Sequence, residues 1–174
     1  MKKIFTPRLI FIASVIFVAA FSRLLPHLPN VTPIAAIALF GGTFINRKFL
    51  AFLLPLVALF LSDLFIGFYS EMYAVYLSLA VTVGIGFLLN KKTTVINTIS
   101  ASVASSVIFF IVTNFAVWLS VKYAYPHTIT GLGLCYEMAL PFFRSELLGT
   151  LAYNSLFFGA FYFAKAKFPV LAKA

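Results

Sequence analysis

Apolar residues along the chain fall into six runs separated by short polar connectors. A bilayer core about 30 Å thick is crossed by about 20 helical residues, since a helix rises about 1.5 Å per residue. Most runs reach or approach that length, and the second is the shortest. We therefore predict an all-α integral membrane protein in which residues 1–174 form one six-helix domain. The predicted spans are residues 9–25, 32–45, 49–68, 72–90, 96–120 and 141–164.

The composition excludes most other classes of protein. Hydrophobic residues make up 63% of the chain and charged residues 10%, whereas soluble domains average about 45–50% and about 25%. A soluble enzyme, a disordered tail and a nucleic-acid-binding domain are therefore excluded, and we expect no nucleic-acid partner. The single cysteine excludes an internal disulfide and a multi-cysteine metal site.

The basic residues flank the apolar runs and predict the orientation of the protein. With the N-terminus in the cytoplasm, ten Lys and Arg lie on the inner side and three on the outer side, which follows the positive-inside rule. Both termini are then cytoplasmic, and we expect a multi-pass protein of a bacterial cytoplasmic (inner) membrane. The inner residues are Lys2, Lys3, Arg8, Arg47, Lys48, Lys91, Lys92, Lys165, Lys167 and Lys173, and the outer ones are Arg23, Lys122 and Arg144.

Two other topologies are compatible with parts of the sequence. Residues 32–45 are short enough for a re-entrant loop, but every later segment would then invert and the charge bias would collapse. Residues 9–25 also resemble a secretory signal with a weak cleavage site at Val18-Ala19-Ala20. Charge counting does not separate a cleaved from a retained segment, and we expect a retained helix.

Asp63 is the most informative ionisable residue, because it lies inside the third apolar run. Counting from Lys48 places it about 22 Å above the inner face. Ionisable groups at such depth normally face the bundle interior and have a partner. We expect that partner to be a basic or amide group of the fifth or sixth span, with Arg144 the first candidate. Asp63 is then a ligand contact or ion-coupling residue, or alternatively one half of a structural ion pair.

The fifth and sixth spans carry further candidates toward the outer side. Asn114 and Trp118 are four residues apart on one helix face, an arrangement that suits a planar polar ligand. Arg144 and Glu146 are two apart and therefore point to different sides of the helix. The structural alternatives are an interhelical hydrogen bond for Asn114 and interfacial anchoring for the other three.

Four more residues complete the predicted substrate-binding set. Cys135 and His127 lie in the longest connector, residues 122–136, which we expect to form part of an outer lid. Tyr76 belongs to an aromatic cluster after the third span, which forms either an aromatic belt or a cavity wall. Asn154 lies near the midplane of the sixth span. The predicted set is Asp63, Tyr76, Asn114, Trp118, His127, Cys135, Arg144, Glu146 and Asn154.

Several short strings resemble a bacterial integral-membrane family of unknown function whose members are labelled as transport proteins. The resemblance covers nearly the whole chain. The strings are Leu25-Pro26-His27, Pro29-Asn30, Thr32-Pro33-Ile34-Ala35-Ala36, Leu39-Phe40-Gly41-Gly42, Ser62-Asp63-Leu64, Thr113-Asn114-Phe115, Val117-Trp118, Cys135-Tyr136 and Pro141-Phe142-Phe143.

More distantly, the chain resembles the substrate-binding S components of energy-coupling-factor (ECF) vitamin transporters. That resemblance implies six helices, cytoplasmic termini, an outward-opening ligand cavity and a partner T component with ATPases. S components often carry an Ala-x-x-x-Ala pair on the first helix. The first helix here lacks that pair, since it reads Ala13-Ser14-Val15-Ile16-Phe17. A solitary carrier, or one that self-associates, is therefore the alternative to docking on an ATPase module.

Together these features predict a membrane transport protein that captures a small organic nutrient, such as a vitamin or its precursor, from the outer side. The lipid bilayer and this small molecule are its expected partners. We expect no enzymatic activity, no cofactor and no resident metal, because the motifs for phosphate binding, zinc proteolysis and serine nucleophiles are missing. The alternatives are an intramembrane enzyme using Cys135 with a histidine and Glu137 or Glu146, and a non-catalytic accessory subunit.

Overall fold

The computed structural model describes residues 6–120 and 125–172 of the chain. Within these residues the chain forms α-helices and one short 3₁₀ helix, Pro169–Ala172, and no strand. The predicted all-α fold is thus confirmed. The α-helices of the described residues are α1 (Pro7–Ser22), α2 (Ile34–Phe44), α3 (Lys48–Ile66), α4 (Met72–Asn90), α5 (Val95–Leu119) and α6 (Ile129–Lys167).

Four of the described helices, α3 to α6, are long and apolar enough to cross a membrane, whereas α1 and α2 are shorter apolar helices. This fits a multi-pass membrane protein. Side chains from the end of α1 and the start of α4 both contact Asp63, near the end of α3. These three helices therefore alternate in direction. We call the end of the bundle that holds these contacts the predicted outer end.

Helix α2 lies at the centre of the bundle. All 11 of its residues are buried, and it packs against each of the other five α-helices described above. A helix that is apolar on every side is stable only when protein or lipid surrounds it completely. Phe40 and Phe44 pack against Phe157, Phe158 and Phe161 of α6. The shortest apolar run is therefore the core of the fold.

Two glycines allow α2 and α4 to approach closely. A Cβ atom added to Gly86 would lie 2.8 Å from the backbone of Gly42 and also 2.8 Å from the carbonyl oxygen of Leu39. A Cβ added to Gly42 would in turn meet the carbonyl of Val83. Small residues at such crossings let two helix backbones come into contact, so this pair sets the spacing between α2 and α4.

Polar side chains from neighbouring helices bind the backbone carbonyl groups at the end of α2. The last carbonyl groups of a helix have no partner within it. Arg8 Nη2 donates to the carbonyl oxygen of Phe44 at 3.0 Å, and Asn90 Nδ2 donates to that of Thr43. The guanidinium of Arg8 also lies 5.7 Å from the ring centroid of Phe161. These contacts tie α1, α4 and α6 to the end of the central helix.

The bounds of α6 differ from two predictions, the start of the sixth span and the end of the connector before it. It begins at Ile129 and not at residue 141, and it runs for 39 residues with Pro141 inside it. Thr128 caps its start, since its hydroxyl accepts from the backbone N–H of Gly131 at 3.1 Å. Most of the predicted 122–136 connector is therefore helical, and Lys122 lies outside the described residues. Proline lacks one N–H donor, but membrane helices tolerate it where neighbouring groups re-satisfy the backbone.

The orientation of the bundle is tested by labelling introduced cysteines with an impermeant thiol reagent in intact cells. In a Cys135→Ala background, Lys48→Cys and Lys91→Cys should be shielded, because the charge bias places both in the cytoplasm. Ser70→Cys should label, since Ser70 is exposed near the opposite end of α3, whereas the adjacent Glu71 is buried. Labelling at position 91 without labelling at position 70 would contradict the predicted orientation.

Candidate functional site

A cavity of about 510 Å³ lies between α5 and α6. Small-molecule sites in proteins typically measure about 300–1,000 Å³, so this cavity has room for a small organic molecule. Its described lining combines aromatic side chains with a few polar ones. The lining residues are Asn30, Phe109, Phe110, Thr113, Asn114, Val117, Tyr125, Cys135, Met138, Ala139, Phe142, Phe143 and Glu146.

Two contacts between α5 and α6 flank the cavity, and α6 takes the longer path between them. At one contact the thiol of Cys135 donates to the carbonyl of Asn114 at 3.5 Å. At the other, Ser106 Oγ donates to Glu146 Oε1 at 3.3 Å. The path between them is about 12 Å along α5 and about 16 Å along α6. Pro141 lies in this part of α6, where it removes one backbone donor.

Glu146 is the deepest lining residue along α6 as measured from the predicted outer end. Its side chain is buried, with 9% of the residue surface exposed. Oε1 accepts hydrogen bonds from Ser106 and from Thr150, the latter at 2.8 Å. Oε2 is buried and has no hydrogen-bond partner within the described residues. Half of this carboxylate is thus held in place, while the other half lacks a donor.

Asn114 and Cys135 meet on the opposite side of the cavity. Asn114 Nδ2 donates to the carbonyl of Phe110 at 2.8 Å, which leaves the amide oxygen as the acceptor of that side chain. Cys135 is buried. The ring of Phe110 packs against those of Phe143 and Tyr136, with centroid distances of 4.8 and 5.4 Å. The polar groups therefore sit beside a continuous aromatic wall.

Asp63 belongs to a second cluster, at the predicted outer ends of α1, α3 and α4. Arg23 Nη1 forms an ion pair with Asp63 Oδ1 at 2.8 Å and also donates to Ser62 Oγ at 2.5 Å. Tyr76 donates its hydroxyl to Asp63 Oδ2 at 3.0 Å. Partial burial raises the pKa of the Tyr69 phenol in the adjacent turn, and the Asp63 charge raises it further. Both carboxylate oxygens of Asp63 thus have protein partners.

The predicted partner of Asp63 was wrong. The cation is Arg23, which follows the last residue of α1, and Arg144 is exposed on α6. Arg144 forms no ion pair within the described residues and does not line the cavity. The cause is the bundle arrangement, since α1 packs directly against α3. Counting depth along each helix does not reveal which helices are neighbours.

Three other predicted residues, Trp118, His127 and Asn154, are not part of the cavity lining. Trp118 Nε1 donates to the carbonyl of Pro126 at 2.9 Å, and its ring contacts that of His127 edge-on. Neither lines the cavity. Asn154 is buried two turns beyond Glu146, where its Nδ2 donates to Ser102 Oγ at 2.8 Å. Its Oδ1 has no partner among the residues that the structure describes.

The structure therefore brings together three of the predicted residues at one cavity: Asn114, Cys135 and Glu146. Asp63 and Tyr76 form the separate cluster with Arg23.

Comparison with known proteins gives a family but no function. A family model described as a family of unknown function, DUF6580, matches residues 3–171. The chain belongs to this family. No curated protein and no solved structure gives a match.

In this DUF6580 chain, the sequence interpretation missed the hydroxyl groups that hold Glu146. Neither Ser106 nor Thr150 belongs to the predicted substrate-binding set. Thr150 lies four residues after Glu146, so it shares a helix face with it, and that spacing could have revealed it. The Ser106 contact joins residues 40 apart in sequence. No local pattern could have indicated it.

The described part of the DUF6580 chain contains no group of three His, Cys, Asp or Glu side chains that could hold a metal ion. Cys135 and Glu146 both line the cavity, but His127 packs on Trp118. The described lining of the cavity consists of hydrogen-bonding groups and aromatic or apolar side chains.

Proposed function

We propose that this protein is a membrane transport protein that binds a small organic nutrient in the cavity between α5 and α6. The observation that carries the proposal is a cavity of about 510 Å³ with a buried, half-satisfied carboxylate and an aromatic wall. Sites for small molecules are mostly apolar clefts with a few convergent polar groups. The nutrient would be captured from the outer side, in keeping with the charge bias and the position of the cavity along α5 and α6.

The distant resemblance to S components of vitamin transporters supports a substrate-binding subunit that works with a T component and ATPases. The alternative is a solitary or self-associating carrier in the bacterial inner membrane. The subunit and the solitary carrier would each bind the substrate in a cavity before transporting it. Stimulation of uptake by ATP and a co-expressed partner module would favour the first, and uptake by the purified chain in liposomes would favour the second.

An enzyme remains the second candidate because Cys135 lines the same cavity. Its thiol donates to a backbone carbonyl, an arrangement typical of a packing residue, and we propose no catalysis. If Cys135→Ser abolished turnover of a bound compound while leaving its binding intact, the enzymatic alternative would be favoured.

The proposal is tested by native mass spectrometry of the purified protein and of a variant with a filled cavity. We expect the wild type to release a co-purified small molecule. Ala139→Phe should lose it, because Ala139 is buried and lines the cavity. Ala152→Phe is the matched control, since Ala152 is an exposed alanine of the same helix. Equal occupancy in both variants would remove the cavity as the binding site, and a wild type that binds no small molecule would favour the accessory-subunit alternative.

A further inference from the structure

The described wall of the cavity carries one acidic side chain and no basic one. Glu146 is the only Asp, Glu, Lys, Arg or His among the described lining residues. The ion pair found in the described residues lies elsewhere, between Arg23 and Asp63. Along this described wall an anionic ligand would find no basic side chain to pair with, whereas a cation would find a carboxylate. The sign of the charge therefore discriminates between classes of ligand.

Within the described residues, one of the two carboxylate oxygens of Glu146 lacks a hydrogen-bond donor. Oε1 has two hydroxyl donors, and Oε2 has none within the described residues. A buried carboxylate is costly unless it is paired and hydrogen-bonded. An N–H group on a ligand cation would supply both the charge and the missing donor. The hydroxyls of Ser106 and Thr150 meanwhile hold the carboxylate in one orientation.

The remaining lining favours the same class of ligand. Four phenylalanines and Tyr125 line the cavity, and aromatic faces attract cations through their quadrupoles. Asn114 donates one of its two amide N–H groups to the carbonyl of Phe110, and the same side chain carries an amide oxygen. That oxygen also accepts from N–H donors. The acidic side chain, the hydrogen-bond acceptors and the aromatic rings of the described lining thus all favour a cationic ligand.

We propose that the cavity selects a monovalent organic cation, an amine or protonated ring nitrogen on a flat apolar body, with its N–H directed to Glu146. This inference rests on the proposed function and narrows it. The apolar body would lie against Phe110 and Phe143, which form the continuous part of the wall. Carboxylate-bearing nutrients of the same size are disfavoured.

The test compares three phenyl probes of similar size with different charge: 2-phenylethylamine, 2-phenylethanol and phenylacetate. Binding to the purified full-length protein in lipid nanodiscs at pH 7.5 is measured by calorimetry and by the fluorescence of the single tryptophan, Trp118. We expect the amine to bind roughly tenfold or more tightly than the alcohol, because the ammonium group brings a full positive charge to the carboxylate, whereas the hydroxyl brings only a dipole. Phenylacetate should bind most weakly.

Glu146→Gln should reduce the preference for the amine over the alcohol to near unity. Glutamine keeps an oxygen that can accept from Ser106 and Thr150. Glu137→Gln is the matched control, since Glu137 is exposed on the same helix and is not a lining residue. It should preserve the preference. The comparison of the three probes on the wild type stands even where the Glu146 variant fails to fold.

Two outcomes would overturn the inference and can be told apart. Binding of the alcohol or of phenylacetate as tightly as the amine would overturn the cation preference while leaving the cavity as a binding site. Failure of all three probes to bind the wild type would overturn both the ligand class and the proposed binding role of the cavity.

Discussion

Replacing Gly86 by alanine is expected to destabilise the protein strongly, although alanine is the better helix former. The added Cβ would lie 2.8 Å from backbone atoms of Gly42 and from the carbonyl oxygen of Leu39. Backbone atoms of a buried helix cannot rotate away as a side-chain tip can. Overpacking a core costs about 1–3 kcal/mol, and here we expect the upper part of that range, because α2 is enclosed by the other helices. The measurement is thermal unfolding of the purified protein in detergent.

Gly84 provides the matched control on the same helix. A Cβ added there meets no heavy atom within 4 Å. Gly84→Ala should therefore be neutral, or stabilising by about 0.5–1 kcal/mol, since glycine is a poor residue inside a helix. Equal melting temperatures for the Gly84 and Gly86 variants would show that α2 and α4 do not cross as closely as described.

Removing Arg23 is expected to have the second large effect. Arg23→Ala would leave Asp63, which is fully buried, without its cation and with Tyr76 as its remaining side-chain donor. Breaking one side of a buried ion pair typically costs about 3–5 kcal/mol. We therefore expect a large fall in thermal stability and in the yield of monodisperse protein. Arg144→Ala should leave both unchanged, because Arg144 is exposed.

A double variant separates the ion pair from other effects of Arg23. Arg23→Met with Asp63→Leu removes both charges and should recover much of the stability lost in Arg23→Ala, since replacing a buried pair by apolar residues is often close to neutral. If Arg23→Ala kept wild-type stability, Asp63 would not depend on Arg23. If the double variant bound the co-purified molecule normally, Asp63 would be structural and not part of the binding site.

The candidate cavity could be predicted in part from single residues. Asn114, Cys135 and Glu146 are polar groups in predominantly apolar surroundings, and a polar group in the membrane normally faces the bundle interior. Their meeting could not be predicted, because it depends on the register in which α5 and α6 pack against each other. Asp63 is likewise a polar residue within an apolar run. Its partner is Arg23 at the end of α1, so it belongs to a different cluster.

The distribution of apolar residues alone accounts for the helical class, for most helix boundaries and for the separation of basic ends from apolar spans, because backbone groups in lipid must be satisfied within helices. The tertiary structure decides three further properties. Helix α2 is central because the other helices surround it, Pro141 lies within a continuous α6, and Arg23 rather than Arg144 neutralises Asp63. Each depends on which helices are neighbours, and contacts between distant residues leave no periodic signal in the chain.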